Sequence, residues 1–398
     1  MGLMVPAQFV YAAAGSLDPT FGTGGKVLTS FHNCGVSICD TEPAGAVLQP
    51  DGKIVVAVNS ASAGVLRYLS NGSFDSSFGT GGLAPAVAAL GSANSITLQP
   101  DGKIVVVGLA GTTTGNEITV ARYNSDGILD TAFATGGLAT ANLGGGIGVG
   151  EAVLIQPDDK ILVAATALVG HLGNGATALV RFNSDGSEDS TFGVSGAELV
   201  TGATGGADAL AVLEDGDILV VNHGGIAQFT PTGSLESTVT GGPIAASSPG
   251  GIFLADGDFI DPATVATGKH ISDAQVFEFT ATGNVNRAFN NPLFAFLPGG
   301  MNSAESTGFQ SDGKIVVGGG HCAPGFSPCL FGMARLDTSG SLDSSFGTNG
   351  MLTTEFSGED LGYEIVLIQP DDKIIAVGSS IDHAKGQANV ALARYLPQ

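Results

Sequence analysis

The nonapeptide LQPDGKIVV occupies residues 48–56 and returns letter for letter at residues 98–106. Pro-Asp-Gly is turn chemistry, because proline presets φ and glycine accepts the left-handed backbone that follows. Short runs of β-branched and small apolar residues flank it, so the stretch reads as two strands joined by a tight corner. The first aspartate of the corner recurs as Asp51, Asp101, Asp158, Asp215, Asp256, Asp312 and Asp371, at intervals of 50, 57, 57, 41, 56 and 59 residues. A period of that length holds four short strands and their loops.

The rest of each unit supports that reading. A small-apolar run such as EAVLIQ (151–156) meets the corner, and a second strand of KIVVAV type follows. After a variable loop comes a third strand like TVARYN (119–124). A long turn, SNGSFDSSFGTGG (70–82) or SDGILDTAFATGG (125–137), then leads to a weaker fourth strand. Seven such units predict an all-β chain, a single seven-bladed β-propeller with four-stranded antiparallel blades. The expected blades run over 44–88, 94–142, 151–202, 208–242, 249–297, 305–355 and 364–396. The chain ends in NVALARYLPQ, a third strand with no turn after it, and residues 15–31 (GSLDPTFGTGGKVLTSF) supply the missing turn and fourth strand. A closing strand at 25–31 is therefore expected to pair with the blade of 364–396, which removes an open sheet edge. Residues 1–14 are apolar and end in small residues, as the remnant of a leader or a tail would.

Units built like SNGSFDSSFGTGG and LQPDGKIVV resemble the delta-60 repeat family, bacterial propeller repeats of largely unknown function. The resemblance spans residues 15–398, with the fourth and fifth units degenerate. It implies a propeller and export, and it transfers no catalytic residue.

The formal charge is −23, from 14 basic and 37 acidic residues. Phosphate backbones need clustered Lys and Arg, so nucleic acid and anionic membranes are poor partners. No apolar run approaches the ~18 residues of a membrane-spanning helix. The four cysteines form two close pairs, Cys34 with Cys39 and Cys322 with Cys329, which points to two local disulfides and an oxidising compartment. The expected location is secreted, periplasmic or cell-surface, and the expected state a monomer.

Comparing the units sorts the charges. Lys53, Lys103, Lys160, Lys314 and Lys373 follow the corner in five units, and the third strand of the same five carries Arg67, Arg122, Arg181, Arg335 and Arg394. The following turn adds Asp75, Asp130, Asp189, Asp343 and Asp18. All three change together in the fourth unit, to Asp217, Gln228 and Glu236, and in the fifth, to Asp258, Glu278 and Asn286. Residues lost as a set contact one another, so this is read as a structural network at the turns. Units four and five become an acidic sector suited to a cation or a basic partner. The turn Asn124-x-Asp126-Gly-x-x-Asp130 resembles half a calcium loop but lacks the distal glutamate, and Asx-turn chemistry accounts for it.

Function on a repeat scaffold belongs where the copies differ. His171, His223, His270, His321 and His383 fall in the loops between second and third strands of the last five units, and His32 in a loop on the same face. Seven residues before each corner aspartate stand Ala44, Asn94, Glu151, Asp208, Pro249, Glu305 and Glu364. Together these predict a crown of imidazoles and carboxylates around one channel mouth. His171, His223, His270, His321, His383, Glu151 and Asp208 are the candidate ligands for a divalent metal. The candidate acids and bases of a hydrolase or lyase are His223, His321, His383, Glu305 and Glu364. Ordinary solvated loop histidines satisfy the same pattern, and no HxH or HxxxH spacing fixes two ligands on one strand. The leading expectation is a binding module that presents this loop face to a glycan, a protein or a small molecule.

Overall fold

The computed structural model describes residues 13–30, 42–59, 64–84, 90–112, 115–141, 143, 147–168, 175–204, 206–222, 225–240, 251–254, 258–268, 271–280, 282, 284–324, 329–356, 360–361, 365–382 and 387–397. The described residues form strands, turns and bends, with no helix among them. Each unit is an antiparallel sheet laid down in chain order. In unit one Glu42–Leu48, Ile54–Asn59, Gly64–Tyr68 and Leu83–Ala84 are neighbours in that sequence. Units two, three and four repeat the pattern, and units five and six are joined into one sheet by a single bridge between Ser272 and Met301. The architecture is an all-β propeller of four-stranded sheets.

The final sheet draws on both ends of the chain. Lys26–Thr29 pairs antiparallel with Gln387–Tyr395, Lys26 opposite Ala393 and Thr29 opposite Val390. The second strand of each unit is the most apolar because both its faces are covered. Ile54 to Ala57 and Ile104 to Val107 are all essentially inaccessible to solvent.

Those covered faces meet between sheets, in seven apolar clusters, each drawing on two neighbouring units. One of them sets Ile375, Val377, Val390 and Leu392 of the last unit against Ile54, Val56 and Leu66 of the first. The cluster between units four and five holds six buried hydrophobics, whereas the others hold ten to fourteen. That seam is the thinnest among the described residues.

The Lys/Arg/Asp set is a latch between blades, as the unit comparison implies. Arg67 Nε donates to Asp75 Oδ2 at 2.8 Å, and Nη1 crosses to the Ser125 carbonyl of unit two at 2.6 Å. Its guanidinium lies 4.5 Å from the centre of the Phe78 ring, a cation–π contact. Arg122, Arg181, Arg335 and Arg394 repeat the arrangement, reaching the carbonyls of Ser184, Pro231, Pro397 and Ser70 in the following units. Phe78 fits beneath Gly127 of unit two, whose φ is +85°; a Cβ there would stand 2.8 Å from the ring. In unit four the arginine is replaced by Gln228, which donates to Asp217 at 2.8 Å within its own unit.

The proposed calcium half-loop is an Asx turn, with Ile128 N donating to Asp126 Oδ1 at 3.0 Å and Ser187 N to Asp185 Oδ1 at 2.9 Å. Cys322 and Cys329 form a disulfide across the ends of the second and third strands of unit six. Cys34 and Cys39 lie outside the described residues.

Candidate functional site

The first strand of five units carries an irregularity at the same place. The pairing register slips between Pro43 and Gly45, Ala93 and Ser95, Gly150 and Ala152, Ala207 and Ala209, and Ala304 and Ser306. The extra residue in each case is the position seven before the corner aspartate: Ala44, Asn94, Glu151, Asp208 and Glu305. A β-bulge leaves its extra residue outside the ladder and re-aims its side chain. Here the five bulges face one space.

That space is an axial cavity of about 400 Å³. Ala44, Asn94, Glu151, Asp208 and Glu305 all line it, with Gly251 from unit five and Ile365 from unit seven. Every unit thus contributes to the wall. Between the polar groups the wall is made of small or aliphatic residues, Gly45, Ala46, Ala152 and Ala209 among them. A concave site of this size with few, convergent polar groups is the form that small-ligand sites take.

The polar groups are organised across blades. Asn94 Nδ2 donates to Glu151 Oε2 at 2.9 Å and to the Gly150 carbonyl at 3.0 Å. Thr166 Oγ1 donates to the other carboxylate oxygen of Glu151 at 3.2 Å. Glu151 is thereby fixed in place with both oxygens engaged. Asp208 is buried, at 8% exposure.

Behind Asp208 lies a group that the sequence comparison passed over. Asp261, on the second strand of unit five (Phe259–Gly268), is 1% exposed, and neither carboxylate oxygen has a hydrogen-bond partner. Burial pushes its carboxyl up, and the charge of Asp208 adds to this, to about 8. The signal was present in the repeat, since five residues after the corner the other units carry Val56, Val106, Val163, Val220, Val317 and Ala376.

The histidines fare differently. His171, His223, His270 and His383, with His32 and Glu364, lie outside the described residues. His321 is described, and it does not line the cavity with Glu305. It is 5% exposed within unit six, where its Nδ1 lies 3.0 Å from Asn302 Oδ1. The Asn302 amide donates to the Ser272 and Leu297 carbonyls, which leaves Oδ1 as acceptor and assigns the imidazole proton to Nδ1. Burial lowers the affinity of His321 for a second proton. His321 thus sits at the end of the second strand of unit six, bonded to Asn302, which itself reaches the Ser272 carbonyl of unit five. Among the described residues no three His, Cys, Asp or Glu side chains gather to hold a metal ion.

Comparisons with known proteins agree with the fold. No curated protein sequence matches the chain significantly. A catalytically inactive mutant of virginiamycin B lyase from Staphylococcus aureus, solved with quinupristin, superposes with a TM-score of 0.52 at 11% identity, covering 92% of this chain and 98% of that one. The extracellular domain of a putative hybrid two-component system from B. thetaiotaomicron gives a TM-score of 0.48 at 13% identity, over 93% of this chain and 41% of that one. A puromycin hydrolase gives 0.47 at 13% identity, over 94% and 59%. A family model described as a domain of unknown function (DUF5122) beta-propeller matches residues 49–78, 99–133, 156–192, 330–346 and 369–398. Those segments fall in the five units that carry the arginine latch, so in these units the chain is similar to a β-propeller repeat family of unknown function.

Proposed function

We propose that the chain is an exported, monomeric, seven-bladed propeller closed by its N-terminal strand, and that it works as a binding module through the axial cavity. The pairing of Lys26–Thr29 with Gln387–Tyr395 and the apolar cluster joining the last and first units support the closed ring. The Cys322–Cys329 disulfide supports an oxidising compartment. Among the described residues no helix is long and apolar enough to cross a membrane.

The observation that carries the function is the convergence of Asn94, Glu151, Asp208 and Glu305, one from each of four units, on one cavity. Carboxylates and an amide in a small-walled pocket accept hydrogen bonds from hydroxyl and ammonium groups. The ligand class is therefore a small, donor-rich molecule such as a sugar, an amino sugar or an amine. The wider loop face for glycan or protein partners remains part of this reading. The alternative reading is a hydrolase or lyase that uses wall carboxylates, Glu305 among them, as acid and base; of its five candidate residues Glu305 and His321 are described, and Glu305 lines the cavity. A ligand-observed NMR screen of neutral sugars, amino sugars and polyamines tests the reading. Binding that disappears in Asn94→Ala and Glu305→Gln supports it; hits indifferent to both variants would move the site elsewhere.

A further inference from the structure

The seam between units four and five departs from most of the other seams in three ways. Its apolar cluster is the smallest among the described residues. Like the seam between units five and six, where Glu278 stands in the arginine position, it lacks the arginine latch; here Gln228 takes that place and bonds within its own unit. Other seams also carry a backbone bond between successive turns, such as Gly79 N to the Asp126 carbonyl and Asn290 N to the Ser339 carbonyl, and none is found here among the described residues. At this seam Asp261 replaces the valine or alanine that the other six units bury between blades.

A carboxylate in that place needs compensation. A buried unpaired charge is costly by several kcal/mol, and a buried carboxyl without a hydrogen bond is costly even when protonated. Its charged neighbour is Asp208, a bulge residue on the cavity wall, which makes the local charge worse. Lys and Arg are scarce here: residues 182–286 hold fourteen carboxylates against one lysine, Lys269, and two histidines, His223 and His270. Between units two and three, the bulge residue Asn94 meets the carboxylate of the next bulge residue, Glu151, with an amide. Between units four and five, carboxylate meets carboxylate.

We propose that Asp208 and Asp261 form a binding site for a hard divalent cation of the calcium or magnesium class, entered from the axial cavity. One divalent ion neutralises both charges. Asp261 supplies two unbonded oxygens, Asp208 adds a carboxylate donor, and water from the cavity completes a coordination shell of oxygen donors, as hard cations require. The ion would also tie unit four to unit five where the arginine is missing. The site shares Asp208 with the wall of the proposed ligand cavity, but it does not require ligand capture at Asn94 and Glu305.

The test is thermal unfolding of the full chain at neutral pH after chelation, with Ca²⁺, Mg²⁺ or no metal added, beside direct titration of the same protein with Mn²⁺ followed by its electron paramagnetic resonance. The expected result is a rise in Tm of several degrees with at least one of the two ions, and saturable Mn²⁺ binding near one equivalent. Both effects should vanish in Asp261→Asn and weaken at least tenfold in Asp208→Asn. The proposal is overturned if the wild type binds no ion and shows no shift. It is equally overturned if Asp261→Asn keeps the full effect. Should both variants fail to fold, metal content and Mn²⁺ titration of the wild type decide alone, and an ion-free protein with no Mn²⁺ signal ends the proposal.

Discussion

Asn94 and Glu151 occupy the same bulge in neighbouring units, and the amide of one donates to the carboxylate of the other at 2.9 Å. The contact places a donor against an acceptor at the cavity wall, so no charge is left facing another charge. Asn94→Asp would replace it by carboxylate against carboxylate. We expect a loss of about 1–3 kcal/mol at pH 7, from losing a hydrogen bond to a half-buried carboxylate and setting a like charge beside it. The penalty should shrink at pH 5, where one of the pair takes a proton. Urea denaturation at the two pH values measures it.

The latch arginines bear on stability, and the corner lysines barely do. Arg67→Ala leaves Asp75, 5% exposed, without its buried partner, and should cost about 3–5 kcal/mol. Lys53 pairs with the half-exposed Asp51, so Lys53→Ala should cost less than about 1 kcal/mol. Equilibrium unfolding of the two variants separates them, and equal losses would undo the assignment of the arginines as inter-blade ties.

Gly127 and Gly102 both have φ above +80°, but only Gly127 packs on a neighbour's aromatic ring. Gly102→Ala should cost only the left-handed strain, about 1–2 kcal/mol. Gly127→Ala adds a clash with Phe78 at the seam between units one and two and should cost about 2–5 kcal/mol. Thermal melts of the pair test whether blade contact, rather than the turn, demands the glycine.

Acid should loosen the latches. Burial pushes the Asp189 carboxyl up, but hydrogen bonds from Thr191 and the charge of Arg181 outweigh it and hold the group at about 2. A carboxyl depressed on folding contributes stability that is complete above its unfolded value, about 3.9, and lost as pH falls through the folded one. Asp18, Asp75 and Asp343 are shifted in the same direction. Stability should therefore drop between about pH 4 and pH 2. Asp261 has the opposite sign: its folded value is raised to about 8, so without metal the protein should lose stability as pH rises from about 4 to 8. Asp261→Asn should remove that second slope and leave the acid slope intact.

The repeat made the fold legible because the Pro-Asp-Gly corner and the strands around it are local, and their spacing counts the units. The latch was legible for a different reason. Arg, Lys and Asp vanish together in units four and five, as residues that touch one another or share one local charge balance do. The bulge position was visible as a column of carboxylates, though nothing in the chain revealed that a register slip aims them inward. The surroundings of His321 were not legible: it reads as a loop residue but lies in the strand Ile315–Cys322 opposite Asn302, and sequence does not tell where such a side chain points. Asp261 was hard to read because its signal is a single aspartate in a column of five valines and one alanine, with no polar counterpart in another unit.

The axial cavity as a ligand site is most directly tested by calorimetric titration of the wild type and of the Glu151→Gln/Glu305→Gln double variant with glucosamine and with spermidine. Binding of at least one of the two by the wild type, weakened tenfold or more in the variant at unchanged Tm, is the predicted result. Equal binding by both proteins, or none by the wild type, would contradict it.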